Sequence, residues 1–76
     1  MNNKRRCILR RALDLLENAS DLVNQILDEE QDSLDSTPEN LMESEQYQKR
    51  EAAVESLEGA VEQIEEVKSS VESSME

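Results

Sequence analysis

The sequence predicts an all-α protein, an antiparallel hairpin of two helices, and three observations support this fold class. Apolar residues recur in a seven-residue pattern along two segments of similar length. The positions between them are almost all polar or charged. The one proline, Pro38, lies between the two segments, where it would interrupt a helix. We therefore expect helices at about residues 4–32 and 44–74, joined by a connector at 33–43, in a single domain of residues 1–76.

The first predicted helix carries an unusually wide apolar face. With Leu9 placed at position a of the heptad, positions e and g are largely apolar as well as a and d. A face of that width can contact two neighbouring helices rather than one. The a and d positions are Leu9, Ala12, Leu16, Ala19, Val23 and Ile26; the g positions are Ile8, Leu15 and Leu22, and the e positions are Leu13, Ser20 and Leu27.

The second predicted helix has a narrower face built from near-repeats that begin at Ala53, Ala60 and Val67. Its e positions are acidic from Glu51 onward. Gly59 falls on the outward side, where it costs about 1 kcal/mol relative to Ala without breaking the helix. The a and d positions are Tyr47, Arg50, Val54, Leu57, Val61, Ile64, Lys68, Val71 and Met75.

The connector combines turn residues with three isolated apolar residues. Thr37 can cap a short turn that has Pro38 at its first position, and Ser44 can cap the second helix. We expect the apolar residues to cover the open end of the bundle. They are Leu34, Leu41 and Met42.

A single hairpin cannot bury the wide face of its first helix, so the sequence predicts association. We expect a homodimer in which two hairpins form a four-helix bundle; a partner protein that donates a helix could fill the same face. The predicted dimer seam consists of Leu15, Leu22 and Leu27. The predicted core consists of Leu9, Leu13, Leu16, Val23, Ile26, Val54, Leu57, Val61 and Ile64.

The composition argues against an enzyme and against a cofactor. The 76 residues include no His, one Gly and one Cys, so the usual near-neutral acid–base group and a glycine-rich phosphate loop are both missing. Carboxylate pairs such as Glu51 and Glu55 fall on exposed helix faces, where they only repel each other. Cys7 has neither a second Cys nor a His as a reaction partner.

No apolar run is long enough to span a membrane, and we expect a cytoplasmic protein.

One acidic segment resembles a calcium-binding loop. Asp28, Glu30, Asp32 and Glu39 occupy the first, third, fifth and twelfth positions of a twelve-residue stretch between the predicted helices. However, Ser33 stands where such a loop needs Gly for its sharp turn. A solvated helix end therefore explains these acids better than a metal site does.

Charge is divided unevenly along the chain. Residues 1–11 carry five basic groups and no acid, whereas residues 12–76 carry three basic groups and 19 acids. In a hairpin the basic segment lies beside Glu72 and Glu76, and we expect ion pairs there; contact with nucleic acid is the less favoured explanation, because the acidic remainder repels phosphates. The acidic helices could instead imitate nucleic-acid phosphates and act as a decoy.

The order Lys4-Arg-Arg, the segment Pro38-Glu-Asn-Leu-Met-Glu-Ser-Glu45 and the Ala-Val-Glu repeats that start at Ala53 and Ala60 support a family resemblance. They resemble small acidic helical proteins of unassigned function encoded by phages and conjugative elements of Gram-positive bacteria. The resemblance implies an accessory protein of a mobile element and brings no catalytic residues with it. It also raises the possibility of a host-defence inhibitor that works as an acidic decoy.

Overall fold

The computed structural model describes residues 1–76 as two long helices joined by a short connector. Helix α1 spans Asn3–Asp35 and helix α2 spans Glu45–Ser74, with one turn of 3-10 helix at Glu39–Leu41 between them. The helices pack side by side along their length, and there are no strands. The predicted all-α hairpin is confirmed.

Side-chain caps begin both helices. The Asn2 side chain accepts a hydrogen bond from the Arg5 backbone N–H at 2.8 Å, and the Ser44 hydroxyl accepts one from the Tyr47 N–H at 3.2 Å. Each cap satisfies one of the amide groups that a helix start leaves without a partner. Ser44 therefore has its expected role. Thr37 does not cap the short turn; its hydroxyl donates to the Ser33 carbonyl at 2.9 Å.

Helix α1 continues to Asp35, three residues beyond the predicted end at 32. The extension carries Leu34 into the hairpin, where only 6% of its surface remains exposed. Leu41 and Met42 do not cover the end of the hairpin as expected, since 49% and 40% of their surfaces are exposed. The extra helical turn makes Leu34 the residue that closes this end.

The core of the hairpin is thin. Only three residues are buried, namely Leu34, Val54 and Ser20. The other predicted core residues are half-buried, with one exception: Ile26 is 45% exposed and does not belong to the core. The half-buried residues are Leu9, Leu13, Leu16, Val23, Leu57, Val61 and Ile64.

The molecule is a rod of about 59 × 15 × 13 Å, the shape of two helices lying against each other. Neither helix has a stretch apolar and long enough to cross a membrane. A third layer is absent, so every residue that does not face the other helix faces solvent.

Candidate functional site

Helix α1 carries two apolar stripes, each with the alternating three- and four-residue spacing of a helix-packing seam. The inner stripe contacts α2 and includes the buried Ser20 and Leu34; the outer stripe is displaced from it by one residue. A shift of one residue rotates the direction of a side chain by about 100° around a helix. The inner stripe is Leu9, Leu13, Leu16, Ser20, Val23, Leu27, the half-buried Glu30 and Leu34, and the outer stripe is Ile8, Ala12, Leu15, Ala19, Leu22 and Ile26.

The outer stripe has no partner within the chain. Leu15 and Leu22 are each 65% exposed, and Ile8 is 59% exposed. Of the three residues predicted at a dimer seam, Leu15 and Leu22 thus lie on an open surface. Leu27 does not lie with them, because it is half-buried in the spacing of the inner stripe.

The ion pairs of Lys68 show which side of the hairpin is charged. Its ammonium group binds the Glu17 carboxylate from α1 and lies 3.5 Å from a carboxylate oxygen of Glu65 on α2. Both acids therefore flank the seam on one side, which we call the acidic side. The hydrogen bond that the Lys68 ammonium donates to the Glu17 carboxylate is the main reason that the pKa of Lys68 is raised above its ordinary value of 10.5.

The opposite side of the hairpin, which contains the outer stripe, carries almost no acid. On α2 the residues next to the seam on this side are small, and Val67 among them is 48% exposed. The neighbouring row on α2 is polar without acids. The row next to the seam consists of Ala53, Ala60 and Val67, and the neighbouring polar row consists of Ser56, Gln63 and Ser70. Together with the outer stripe they form a broad surface that is apolar or weakly polar.

Charges mark both ends of the outer stripe. Its spacing continues to Arg5 before Ile8 and to Glu29 after Ile26. The row of residues that borders the stripe on its solvent side is also basic at one end and acidic at the other. It has Lys4 and Arg11 at the first end, Asp32 at the last, and Asn18 and Gln25 between them. None of these charged groups forms an ion pair within the chain, because both ion pairs of the structure belong to Lys68.

The hairpin exposes more surface than a compact protein of its mass. The rod has 5863 Å² of accessible surface. A folded monomer of 8.7 kDa is expected to expose about 4,700 Å², so the excess is roughly 1,100 Å². Standard protein–protein interfaces remove about 800 Å² from each partner. The excess is thus large enough to supply one such interface.

The basic segment lies beside the end of α2, but it does not form the predicted ion pairs with Glu72 and Glu76. Instead the Arg6 guanidinium Nε donates to the backbone carbonyl of Met75 at 3.2 Å. Carbonyl groups at the end of a helix lack helical partners and carry partial negative charge. The expected proximity is therefore present, with a backbone carbonyl in place of the carboxylates.

The segment that resembles a calcium-binding loop is not a loop in the structure, and a solvated helix end is the favoured explanation of its acids. Asp28, Glu30 and Asp32 lie within α1, and only Glu39 lies in the connector. Successive acids two residues apart on a helix point about 200° apart, so they cannot converge on one ion. No three Cys, Asp or Glu side chains in the structure are close enough to one another to hold a metal ion.

A cleft of about 240 Å³ lies where the connector meets α2, between Thr37, Leu41, Tyr47 and Arg50 among others. Two of its hydroxyl groups already make structural hydrogen bonds, since Thr37 donates to the Ser33 carbonyl and Ser44 caps α2. Arg50 also donates to the Ser33 hydroxyl, at 3.2 Å. The cleft contains no arrangement of nucleophile and base. The exposed thiol of Cys7 lies elsewhere, on α1.

Comparison of the chain with known proteins found no relative. No protein-family model matches the chain, and neither a curated protein nor a solved structure is significantly similar to it. The geometry of the two stripes and the distribution of charge are therefore the observations that indicate a function.

Proposed function

We propose that this chain is a non-enzymatic helical protein that acts through self-association and protein–protein contact. The observation that carries the proposal is the outer stripe of α1, in which Ile8, Leu15 and Leu22 keep more than half of their surface exposed. Contiguous exposed apolar residues of this kind mark association sites in soluble proteins. The partner we favour is a second copy, which would complete a four-helix bundle.

The resemblance to acidic helical proteins of phages and conjugative elements supports a role as an accessory protein of a mobile element. Such a role needs binding and no chemistry, which agrees with the lack of histidine in the composition. A partner protein that donates a helix could use the same outer stripe in place of the second copy.

Replacing Leu22 with Asp tests self-association. The carboxylate would be buried without a partner in the assembled protein, so dissociation should become easier by a factor on the order of a hundred or more. Sedimentation across a range of protein concentrations measures this change, and circular dichroism reports whether the hairpin remains helical.

Leu41→Asp is the matched control, because Leu41 is an exposed leucine outside the outer stripe. It introduces the same charge and should leave the sedimentation behaviour unchanged. If the unmodified chain is a helical monomer at high micromolar concentration, self-association is wrong. If Leu22→Asp stays as dimeric as Leu41→Asp, the outer stripe is not the contact.

A second candidate function, an acidic decoy for a nucleic-acid-binding protein, is favoured by the separation of charge between the two sides. On α2 the acidic side carries Glu51, Glu58, Glu65 and Glu72, spaced by about 10 Å along the helix axis. The rod is 59 Å long and has a net charge of −11, whereas duplex DNA of that length carries about 35 negative charges. The decoy is therefore the weaker candidate.

Salt separates the two candidates. Binding of a basic partner by an acidic decoy should weaken steeply between 50 and 200 mM salt, on the order of tenfold or more. Self-association through apolar side chains should change little over the same range. A self-association constant that falls as steeply as the binding of a decoy would contradict contact through the outer stripe.

A further inference from the structure

We infer that the second copy binds antiparallel, with the outer stripe of one α1 against the outer stripe of the other in one defined register. The inference rests on the proposed self-association and adds the orientation and the pairing of residues. Three observations carry it: the symmetry of the stripe, the alternation of large and small residues, and the charges at its ends.

The outer stripe is symmetrical about residue 17. When two such stripes run in opposite directions with this point on the twofold axis, Leu15 lies opposite Ala19 of the second copy. Ile8 then lies opposite Ile26, at both ends of the contact. Every apolar residue of the stripe finds an apolar residue opposite, and none overhangs.

The same register places large residues against small ones. Leu15 meets Ala19, and Leu22 meets Ala12 of the second copy. Alternation of large and small side chains across a contact lets the helices interdigitate at normal packing density. A parallel pairing would instead set Leu15 against Leu15 and Ala12 against Ala12, which produces alternately crowded and empty layers.

The charges distinguish the two orientations most sharply. In the antiparallel register Arg5 lies opposite Glu29 of the second copy, and Lys4 of the bordering row lies near Asp32. Twofold symmetry repeats both pairs at the other end of the contact. In a parallel dimer each of these groups would face its own like charge. None of the four has an ion-pair partner within the chain, so all are available.

The position of the outer stripe on α1 suits a bundle. Each helix of a four-helix bundle contacts two neighbours in directions roughly at right angles. The inner and outer stripes are separated by about 100°. Helix α1 can therefore contact α2 through one stripe and the second copy through the other, while the acidic side remains in solvent.

Exchange of charge at Arg5 and Glu29 tests the orientation. In the antiparallel dimer, Arg5→Glu faces Glu29 and Glu29→Arg faces Arg5, so each single variant should weaken the dimer by about tenfold at low salt. The double variant, Arg5→Glu with Glu29→Arg, restores opposite charges at both ends and should recover the original dissociation constant. Sedimentation equilibrium provides these constants.

Arg10→Glu is the control, because it makes the same change in net charge at an exposed position outside the stripe. It should weaken the dimer less than Arg5→Glu does. A parallel dimer gives a different result: each single variant associates as tightly as the unmodified protein, because like charges still face like charges at both ends.

Each outcome leads to a conclusion. Weakened single variants with a recovered double variant support the antiparallel register. A parallel pattern, or no response of an existing dimer to any exchange, overturns it and leaves self-association standing. An unmodified chain that remains a monomer removes both the register and the proposed self-association.

Discussion

Val54 is the most deeply buried apolar residue, with 4% of its surface exposed, and Val54→Ala measures what the thin core contributes. The substitution removes two methyl groups, each of which contributes about 0.8 kcal/mol when buried. A cavity adds to this loss because the surrounding side chains relax only partly. Alanine recovers about 0.6 kcal/mol through its better helix propensity. We expect a net loss of about 1.5 kcal/mol.

Val67→Ala provides the matched control, since it makes the same change on the same helix at a residue that is 48% exposed. The smaller loss of burial and the gain in helix propensity should nearly cancel, to within about 0.5 kcal/mol. Urea unfolding followed by circular dichroism compares both variants with the unmodified chain at one fixed protein concentration, low enough to keep the hairpin monomeric, because a second copy would cover the side that contains Val67. The fixed concentration matters because the stability of an associating protein depends on it.

Two results would refute this reasoning. If Val54→Ala and Val67→Ala destabilise the monomeric hairpin equally, then burial between its two helices does not control its stability. If neither variant changes the urea midpoint, the contact between α1 and α2 contributes no measurable stability.

Two further predictions concern single residues on α2. Gly59→Ala should stabilise the protein by about 0.5–1 kcal/mol, because a Cβ atom there meets no other atom within 4 Å and glycine is costly inside a helix; a higher urea midpoint checks this, and a lower one would contradict it. The raised pKa of Lys68 predicts that its contribution to stability is complete below pH 10.5 and is lost as the pH rises through the folded-state pKa. Lys68→Gln should therefore flatten that alkaline loss in unfolding experiments, whereas Lys49→Gln, at an exposed lysine without an ion pair, should leave it unchanged.

The sequence was sufficient to predict the two helices and the face of α2, because one heptad pattern fits α2. It was not sufficient for α1, where two repeats overlap. The expected core included Ile26, whereas the structure has Leu27 and Leu34 in the inner stripe and Ile26 exposed. The inner stripe continues to Leu34 and thus matches the length of α2, while the outer stripe ends at Ile26. A comparison of the lengths of the two repeats with the length of α2 would have identified the repeat that packs against α2.

The position of Ser20 differs most from the heptad prediction. The pattern puts its hydroxyl beside the contact between α1 and α2, whereas it lies within that contact. It is 4% exposed and receives a hydrogen bond from the Asn24 amide at 3.5 Å. A small side chain at this point lets the two helices approach closely. Apolar patterning alone cannot detect such a position, because it weighs hydropathy and ignores volume.

Polar contacts fix the register of α1 against α2. Arg6 with Met75, Glu17 with Lys68, and Ser33 with Arg50 are spaced along the rod, and all three agree with one antiparallel alignment. Sliding one helix by a heptad would break all three at once, although the apolar residues would still meet. Buried or half-buried polar groups often have this role of selecting one alignment among several of similar hydrophobicity.

The outer stripe has no such polar residue between Ile8 and Ile26. Apolar contact by itself tolerates sliding, so an interface built on this stripe must take its register from elsewhere. The charges of Arg5 and Glu29 at its two ends are the available means. In one antiparallel alignment Arg5 faces Glu29 of the second copy at both ends. A slip of seven residues would leave Arg5 opposite Leu22 and Glu29 beyond the last apolar residue. The hairpin is thus aligned by contacts along its whole length, whereas the register that we infer for the dimer depends on the ends of one stripe.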